Sequence, residues 1–493
     1  MKEGRIGMNI PFLIALGLYL LLFVAVAVMD RKRTSTLRDY ITAGKSQGTF
    51  AVTMTLLATI IGASATIGVT DTVRKIGFPG IWWLLFGALG LILQSFFLSE
   101  RVRRTGADTL PDLAGIVVGR PQYGDRSSSA KETGTNDGKA GESSRGAELL
   151  LALVIVISWI GVIAGQFAAM NSLLTLAVGR SCKTIFILVS AIVILYTMLG
   201  GQLSVVRTDR IQLIIILLGI VFVCGYLYIG KGTAETPHVE LLNTSYRPMD
   251  LFTQFFVIGG VYFLGPDILS RNFISKDART AKRSALVAGF IFSGFAVLIA
   301  LIGMWIRINM SEEALGGRSA LLAANDLLPA GLSVLILFAL LSAILSSTDT
   351  CIINASAIFV RDVLKKDSVM LTRITVSVIG GLSLILVVSG SNDIMSWLSG
   401  AYSVYTPGVI FPLTIAILVY RKREIRKSFW YAAVIAGGLC GIMGNYFPEF
   451  LHKIGVPSGI LSNLTLIGMG LSLVLALLSI GKSLTKPSIK TLS

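Results

Sequence analysis

From Leu341 to Leu364 the chain reads LSAILSSTDTCIINASAIFVRDVL, which places Ser346, Ser347, Thr348, Asp349 and Thr350 at the centre of a segment otherwise apolar enough to lie in a bilayer. Hydroxyl and carboxyl groups at membrane depth are costly unless they face a cavity or a partner, so such a cluster marks the path of an ion or a polar solute. Two further segments lack the bulk of a lipid-facing helix. One is Thr55-Leu56-Leu57-Ala58-Thr59-Ile60-Ile61-Gly62-Ala63-Ser64-Ala65-Thr66-Ile67-Gly68, the other Gly259-Gly260-Val261-Tyr262-Phe263-Leu264-Gly265-Pro266. Glycine tolerates non-helical backbone and proline removes a helix hydrogen bond, so both segments can unwind and release carbonyl oxygens. A carbonyl released inside a membrane needs water, protein or a cation. Small residues also serve close helix packing, but the two breaks each open a group of five spans, the pattern of inverted repeats around a midplane site.

The elements that must hold these groups are transmembrane helices. Of the 493 residues 54% are hydrophobic and 14% charged, and the mean hydropathy of +0.77 is too high for a soluble fold of this length. Apolar runs of roughly 18 or more residues number about thirteen, predicting an all-α, multi-pass protein of the cell membrane. The net charge of +16 invites a nucleic-acid partner, but its distribution argues against one. Eleven of the 43 Lys and Arg fall in one set of alternate loops. The rest fall in the other set, among them Arg31, Lys32 and Arg33, then Arg101, Arg103 and Arg104, the run from Arg271 to Arg283, and Arg421 to Lys427. Basic loops stay in the cytoplasm, so the N-terminus is expected outside and the C-terminus inside, and the basic charge is topological.

Lys2 and Arg5 ahead of the first apolar run resemble a secretory signal. Met8 to Met29 is long for a signal core, however, and Arg31-Lys32-Arg33 behind it holds that end inside, so a retained span is expected. The polar stretch 119–147 is expected to be a flexible cytoplasmic loop. Cys182, Cys224, Cys351 and Cys440 have no metal or redox spacing and are expected to be small, inert apolar residues. The two histidines, His238 and His452, fall in predicted exterior loops. With no convergent set of acids, histidines or metal ligands, an enzyme is not expected.

Three stretches carry a resemblance to a known family. They are Tyr196-Thr197-Met198-Leu199-Gly200-Gly201-Gln202-Leu203-Ser204-Val205-Val206-Arg207-Thr208-Asp209-Arg210-Ile211-Gln212, Gly265-Pro266-Asp267-Ile268-Leu269-Ser270-Arg271, and Ser342-Ala343-Ile344-Leu345-Ser346-Ser347-Thr348-Asp349. In this order the chain resembles the sodium:solute symporter family, which includes bacterial sodium-coupled proline, galactose, sialic acid and pantothenate transporters and the human sodium-glucose cotransporters. The resemblance implies a five-plus-five inverted-repeat core in which the first and sixth core helices are broken. Residues 1–47 would hold an extra helix and cytoplasmic loop, 48–230 the first repeat, 250–420 the second, and 428–493 two more helices and a short cytoplasmic tail.

The resemblance also implies sites. The main sodium position corresponds to the carbonyls of Ala58, Ile61 and Ala343 and the hydroxyls of Ser346 and Ser347. Sodium is a hard cation suited to oxygen ligands, and residues 343, 346 and 347 share one helix face. None of these ligands titrates, which favours sodium over a proton as the driver. A second position, nearer the cytoplasm, corresponds to Asp209, Ser346, Asp349 and Thr350, and there three arrangements stay open. It could hold a second sodium, Asp209 could be salt-bridged to the nearby Arg207 or Arg210, or Asp209 and Asp349 could share a proton and make a proton-coupled symporter. Candidates for the solute site are Ser64, Thr66, Gln166, Tyr262, Pro266 and Tyr405. Ile258 and Ser64 replace tryptophans of the proline transporters, and Ala65 replaces the sugar-contacting glutamine, so neither proline nor sugar is supported. A small carboxylate or amino acid is the expected solute, since half-helix N-termini suit anions. The expected activity is sodium-coupled import by a monomer in a lipid bilayer, with a transporter-like sensor or channel as the remaining alternative.

Overall fold

The computed structural model describes residues 10–119, 144–179, 181–390 and 393–483. Most of the stretch expected to be a flexible loop lies outside the described residues. Numbering only the principal helices, α1 is Ile10–Asp30, α2 Thr49–Ile60, α3 Val69–Ile76, α4 Trp82–Phe97, α5 Arg145–Val178, α6 Lys183–Gly225 and α7 Gly260–Leu264. They are followed by α8 Pro266–Ile274, α9 Ala278–Asn309, α10 Ala330–Ile358, α11 Val369–Ser389, α12 Ile394–Val419, α13 Lys427–Tyr446 and α14 Leu464–Leu478. The only sheet among the described residues is a two-stranded antiparallel ribbon, Arg423–Ile425 with Ile480–Ser483.

Among the described residues nine helices are long and apolar enough to cross a membrane, ten if Thr49–Ile60 and Ser64–Ile76 form one bent span. Reaching the expected thirteen requires both arms of the kinked α6, together with α13 and the 15-residue α14, to cross as well. Leu18, Ile157, Phe222, Phe290 and Ile385 are exposed, giving the outer surface the apolar character a lipid-facing wall needs. Inward faces carry small and hydroxyl residues instead, and α10 buries an unbroken run from Ala339 through Ile358, including every member of the serine cluster. It packs against α5 and α6, while α2 packs against α6 and α9. The cluster therefore sits at the middle of the bundle, surrounded by helix on all sides.

Both sequence-predicted breaks are present. Helix α2 stops at Ile60, Ile61 leaves helical geometry (φ −87°, ψ 67°), and a π turn at Ser64–Gly68 leads into α3, with 60° between the two halves. Helix α7 stops at Leu264, and extended backbone at Gly265 (φ −65°, ψ 145°) starts α8 with Pro266 in its first turn. Proline is tolerated there because its missing N–H would be unpaired in any case.

Helix α6 is divided in a different way. Gly201 within it adopts φ 63°, ψ −169°, and an added Cβ would lie 2.7 Å from Cδ2 of Tyr40. The Tyr40 hydroxyl holds the same corner by donating to the carbonyls of Thr197 (3.2 Å) and Met198 (3.0 Å). Gly201→Ala combines a left-handed backbone with a clash against a fully buried ring. A cost of about 1–3 kcal/mol is expected, read as a lower melting temperature of the purified protein. An unchanged melting curve would show that the corner is set elsewhere.

Candidate functional site

The break after α2 lies against the serine cluster of α10. Ser346 Oγ donates to the carbonyl of Ala58 at 2.7 Å and also contacts the carbonyl of Ala343 at 3.2 Å. Ser347 Oγ donates to the carbonyl of Thr59 at 2.7 Å. Ala58, Ala343, Ser346 and Ser347 thus converge, and Ile61 lies just past the end of α2, where the backbone has left helical geometry. Thr59, absent from the sequence-based set, joins this group through its backbone carbonyl. Glycine at position 62 makes this approach possible, since a Cβ there would overlap Ser347 Oγ and lie 3.0 Å from Gln166 Nε2. The result is a group of neutral oxygens shared between a broken helix and an intact one.

One turn toward the Thr350 end lies a second polar group, organised around Arg271. Counting loop charges places this arginine in the cytoplasm; the structure instead buries it completely. Its Nη2 donates to Thr55 Oγ1 at 3.0 Å, to Thr350 Oγ1 at 2.8 Å and to Thr59 Oγ1, and lies 3.4 Å from Asp209 Oδ2. Asp209 also accepts from Thr55 Oγ1. The ion-pair partner of Asp209 is therefore Arg271 from α8, not Arg207 or Arg210 beside it in sequence. Arg207 reaches Asp30 at the end of α1 at 2.5 Å. Asp349 accepts from Tyr196 at 3.4 Å, and one oxygen each of Asp209 and Asp349 has no hydrogen-bond partner among the described residues.

A narrow cavity of about 40 Å³ lies between the two breaks. Of the six expected solute residues, Ser64, Gln166 and Tyr262 line it. Thr66 instead donates to the carbonyl of Gly62 at 2.9 Å. Tyr405 donates to the carbonyl of Leu264 at 2.6 Å, which satisfies the second break from behind, and Pro266 shapes that break without lining the cavity, whereas its neighbours Gly265 and Asp267 do. Trp159, Asp267, Cys351 and Tyr402 also line the wall and were absent from the sequence-based site. Cys351 is not a purely apolar filler, since its thiol donates to Asp267 Oδ2 at 3.2 Å. Ser347 lines the same cavity. The solute candidates and the sodium candidates share a wall.

Known proteins agree with this architecture. The model of the sodium:solute symporter family matches residues 40–119 and 142–426. The osmoregulated proline transporter OpuE of Bacillus subtilis (strain 168) is 24% identical over 455 residues, 87% of this chain and 88% of that protein. The sodium/pantothenate symporter of Escherichia coli (strain K12) is 24% identical over 502 residues, 93% and 96% of the two chains. Among solved structures, a substrate-bound, outward-open Na+-coupled sialic acid symporter superposes with a TM-score of 0.69 at 17% identity, covering 98% of this chain and all of that one. A closed nucleobase-cation-symport-1 family transporter gives 0.56 at 13% identity over 89% and 93% of the two chains. These likenesses support the five-plus-five inverted-repeat core with two broken helices. The protein is an integral membrane transporter belonging to the sodium:solute symporter family.

Proposed function

We propose that the protein imports a small organic solute driven by one sodium ion per cycle, bound at Ala58, Ile61, Ala343, Ser346 and Ser347. The observation that carries this reading is the reach of the Ser346 and Ser347 hydroxyls across to the carbonyls of the broken α2. Sodium placed among these oxygens ties α2 to α10 and favours the arrangement in which the adjoining solute cavity is formed. Solute binding then favours closure and release on the other side, each ligand shifting the equilibrium only through its different affinity for the two states. One charge crossing the membrane is worth about 2.3 kcal/mol per 100 mV, roughly fifty-fold accumulation at ~1.36 kcal/mol per decade.

At the position expected for a second ion, Arg271 supplies the positive charge. Its guanidinium contacts Asp209 and Thr350, two of the residues that would form that site, which supports coupling to a single sodium. In the membrane the N-terminus is outside and the C-terminus cytoplasmic, following the basic loops.

Thermal stability of the purified protein in sodium chloride against potassium chloride, across a library of small solutes, tests the reading. Sodium at 100 times its Kd adds about 2.7 kcal/mol, and one solute class is expected to stabilise further only when sodium is present. A response to acidification with none to sodium would replace the sodium driver by a proton carried on Asp209 and Asp349.

A further inference from the structure

The central cavity contains a formal charge that the sodium position does not use. Asp267 lies in the first turn of α8, directly after the Gly265 and Pro266 break. It is 7% exposed and lines the cavity. Its Oδ2 accepts from Trp159 Nε1 at 2.6 Å and from Cys351, and its Oδ1 accepts from Asn354 Nδ2 at 2.8 Å. None of these donors is a cation. Arg271, one turn further along α8, makes its ion pair with Asp209, and Asp267 has no ion pair among the described residues. A carboxylate offers about four acceptor directions, so the protein leaves Asp267 capacity for a further, charged donor.

The surroundings favour a cation at this point. Both half-helix N-termini that would attract an anion are already served by the protein. The N–H of Ala63, at the start of the outer half of the first broken span, donates to Gln166 Oε1 at 3.1 Å. The first turn of α8 begins with a proline and holds Asp267 itself, so an anion there would meet a fixed carboxylate. Trp159, Tyr262 and Tyr402 supply ring walls, and aromatic ring systems attract cations. Of the five aspartates buried among the described residues, Asp30 pairs with Arg207 and Asp362 accepts from Thr109, which leaves Asp209, Asp267 and Asp349 to stand against Arg271, the one buried arginine. A cationic group entering with the solute offsets charge that the membrane interior penalises.

Resting on the symporter reading above, we propose that the transported solute carries an ammonium group, received by Asp267 through a charge-assisted N–H···O bond. The solute class is then an amine or an amino acid, and neither a sugar nor a carboxylate without an amine. Asp267 sets this specificity, and Ser347, on the same cavity wall, links the solute to the sodium ion.

The test measures thermal stability of the full-length protein in sodium chloride with free amines and α-amino acids. Each is set against its N-acetyl counterpart, an amine-free carboxylic acid and a sugar of similar size. Stabilisation confined to the free-amine set and lost on N-acetylation is the expected result, with at least a tenfold loss of affinity for the responding amine in Asp267→Asn. Asparagine keeps the shape and one acceptor oxygen, so a variant that still shifts with sodium but has lost the amine response separates recognition from folding. Should that variant not fold, the N-acetyl comparison on the unaltered protein decides alone. Stabilisation by a sugar or an amine-free carboxylate, or an amine response intact in Asp267→Asn, overturns the proposal while sodium dependence leaves the symporter reading standing. Absence of any sodium effect removes that reading and the proposal together.

Discussion

Ser346→Ala combined with Ser347→Ala is expected to lower apparent sodium affinity at least a hundredfold, about 2.8 kcal/mol at 1.4 kcal/mol per decade. Each hydroxyl now bridges α10 to a carbonyl of the broken helix, and each is an oxygen that an alanine cannot replace. Removing both leaves sodium with backbone carbonyls alone, too few ligands for a hard cation in a dehydrated site. The right control is a neighbour in the same cluster. Thr348 Oγ1 turns back to the carbonyl of Ile344 on its own helix at 2.6 Å, so Thr348→Ala should leave sodium affinity within about threefold, allowing roughly 1 kcal/mol of general stability for the lost bond. Sodium titrations followed by thermal shift separate the two. Equal losses in both variants would mean that the cluster supports packing and that the ion binds elsewhere.

The serine cluster and the two breaks were legible in sequence because each violates a local rule. Hydroxyls do not sit at membrane depth without purpose, and Gly-Pro does not continue a helix. Other parts of the site depend on contacts that no local pattern carries. Arg271 lies near the end of α8, where a count of basic residues assigns it to a cytoplasmic loop. Its burial depends on Thr55 and Thr59 from α2, Asp209 from α6 and Thr350 from α10 all meeting at one point. Tyr405 was misplaced for a related reason. A tyrosine on an inward face can turn toward a cavity or toward a stranded carbonyl, and only the packing of α12 against α7 decides that it serves Leu264. Asp267 did have a readable signal, an acid directly after a predicted break at membrane depth, which the family motif around it obscured.

Arg271→Gln is expected to be the most disruptive single change outside the proposed sodium ligands. Removing one partner of a buried ion pair costs about 3–5 kcal/mol, because the other charge is left without compensation. Here the loss is wider, since the same guanidinium also serves three threonine hydroxyls. Arg271→Lys should recover only part of it, because a compact ammonium cannot reproduce the planar, many-donor geometry. Pairing Arg271→Gln with Asp209→Asn removes both charges and is expected to restore some stability, with a coupling energy of about 0.5–3 kcal/mol in the double-mutant cycle. Sodium supplies the sharper readout. With the guanidinium gone, Asp209, Asp349 and Thr350 are free to take a second ion, so the melting temperature of Arg271→Gln should rise with sodium more steeply than that of the unaltered protein, and potassium should not substitute. The unaltered protein, with Arg271 in place, should show a single sodium-binding event and a Hill coefficient near one. Two bound sodium ions in the unaltered protein, together with an unchanged sodium response in Arg271→Gln, would sink the idea that a side chain takes the place of the second ion. If the steeper response is found, the number of ions coupled to transport is set by whether the sequence provides its own cation at this depth, and Arg271 is the residue that sets it to one.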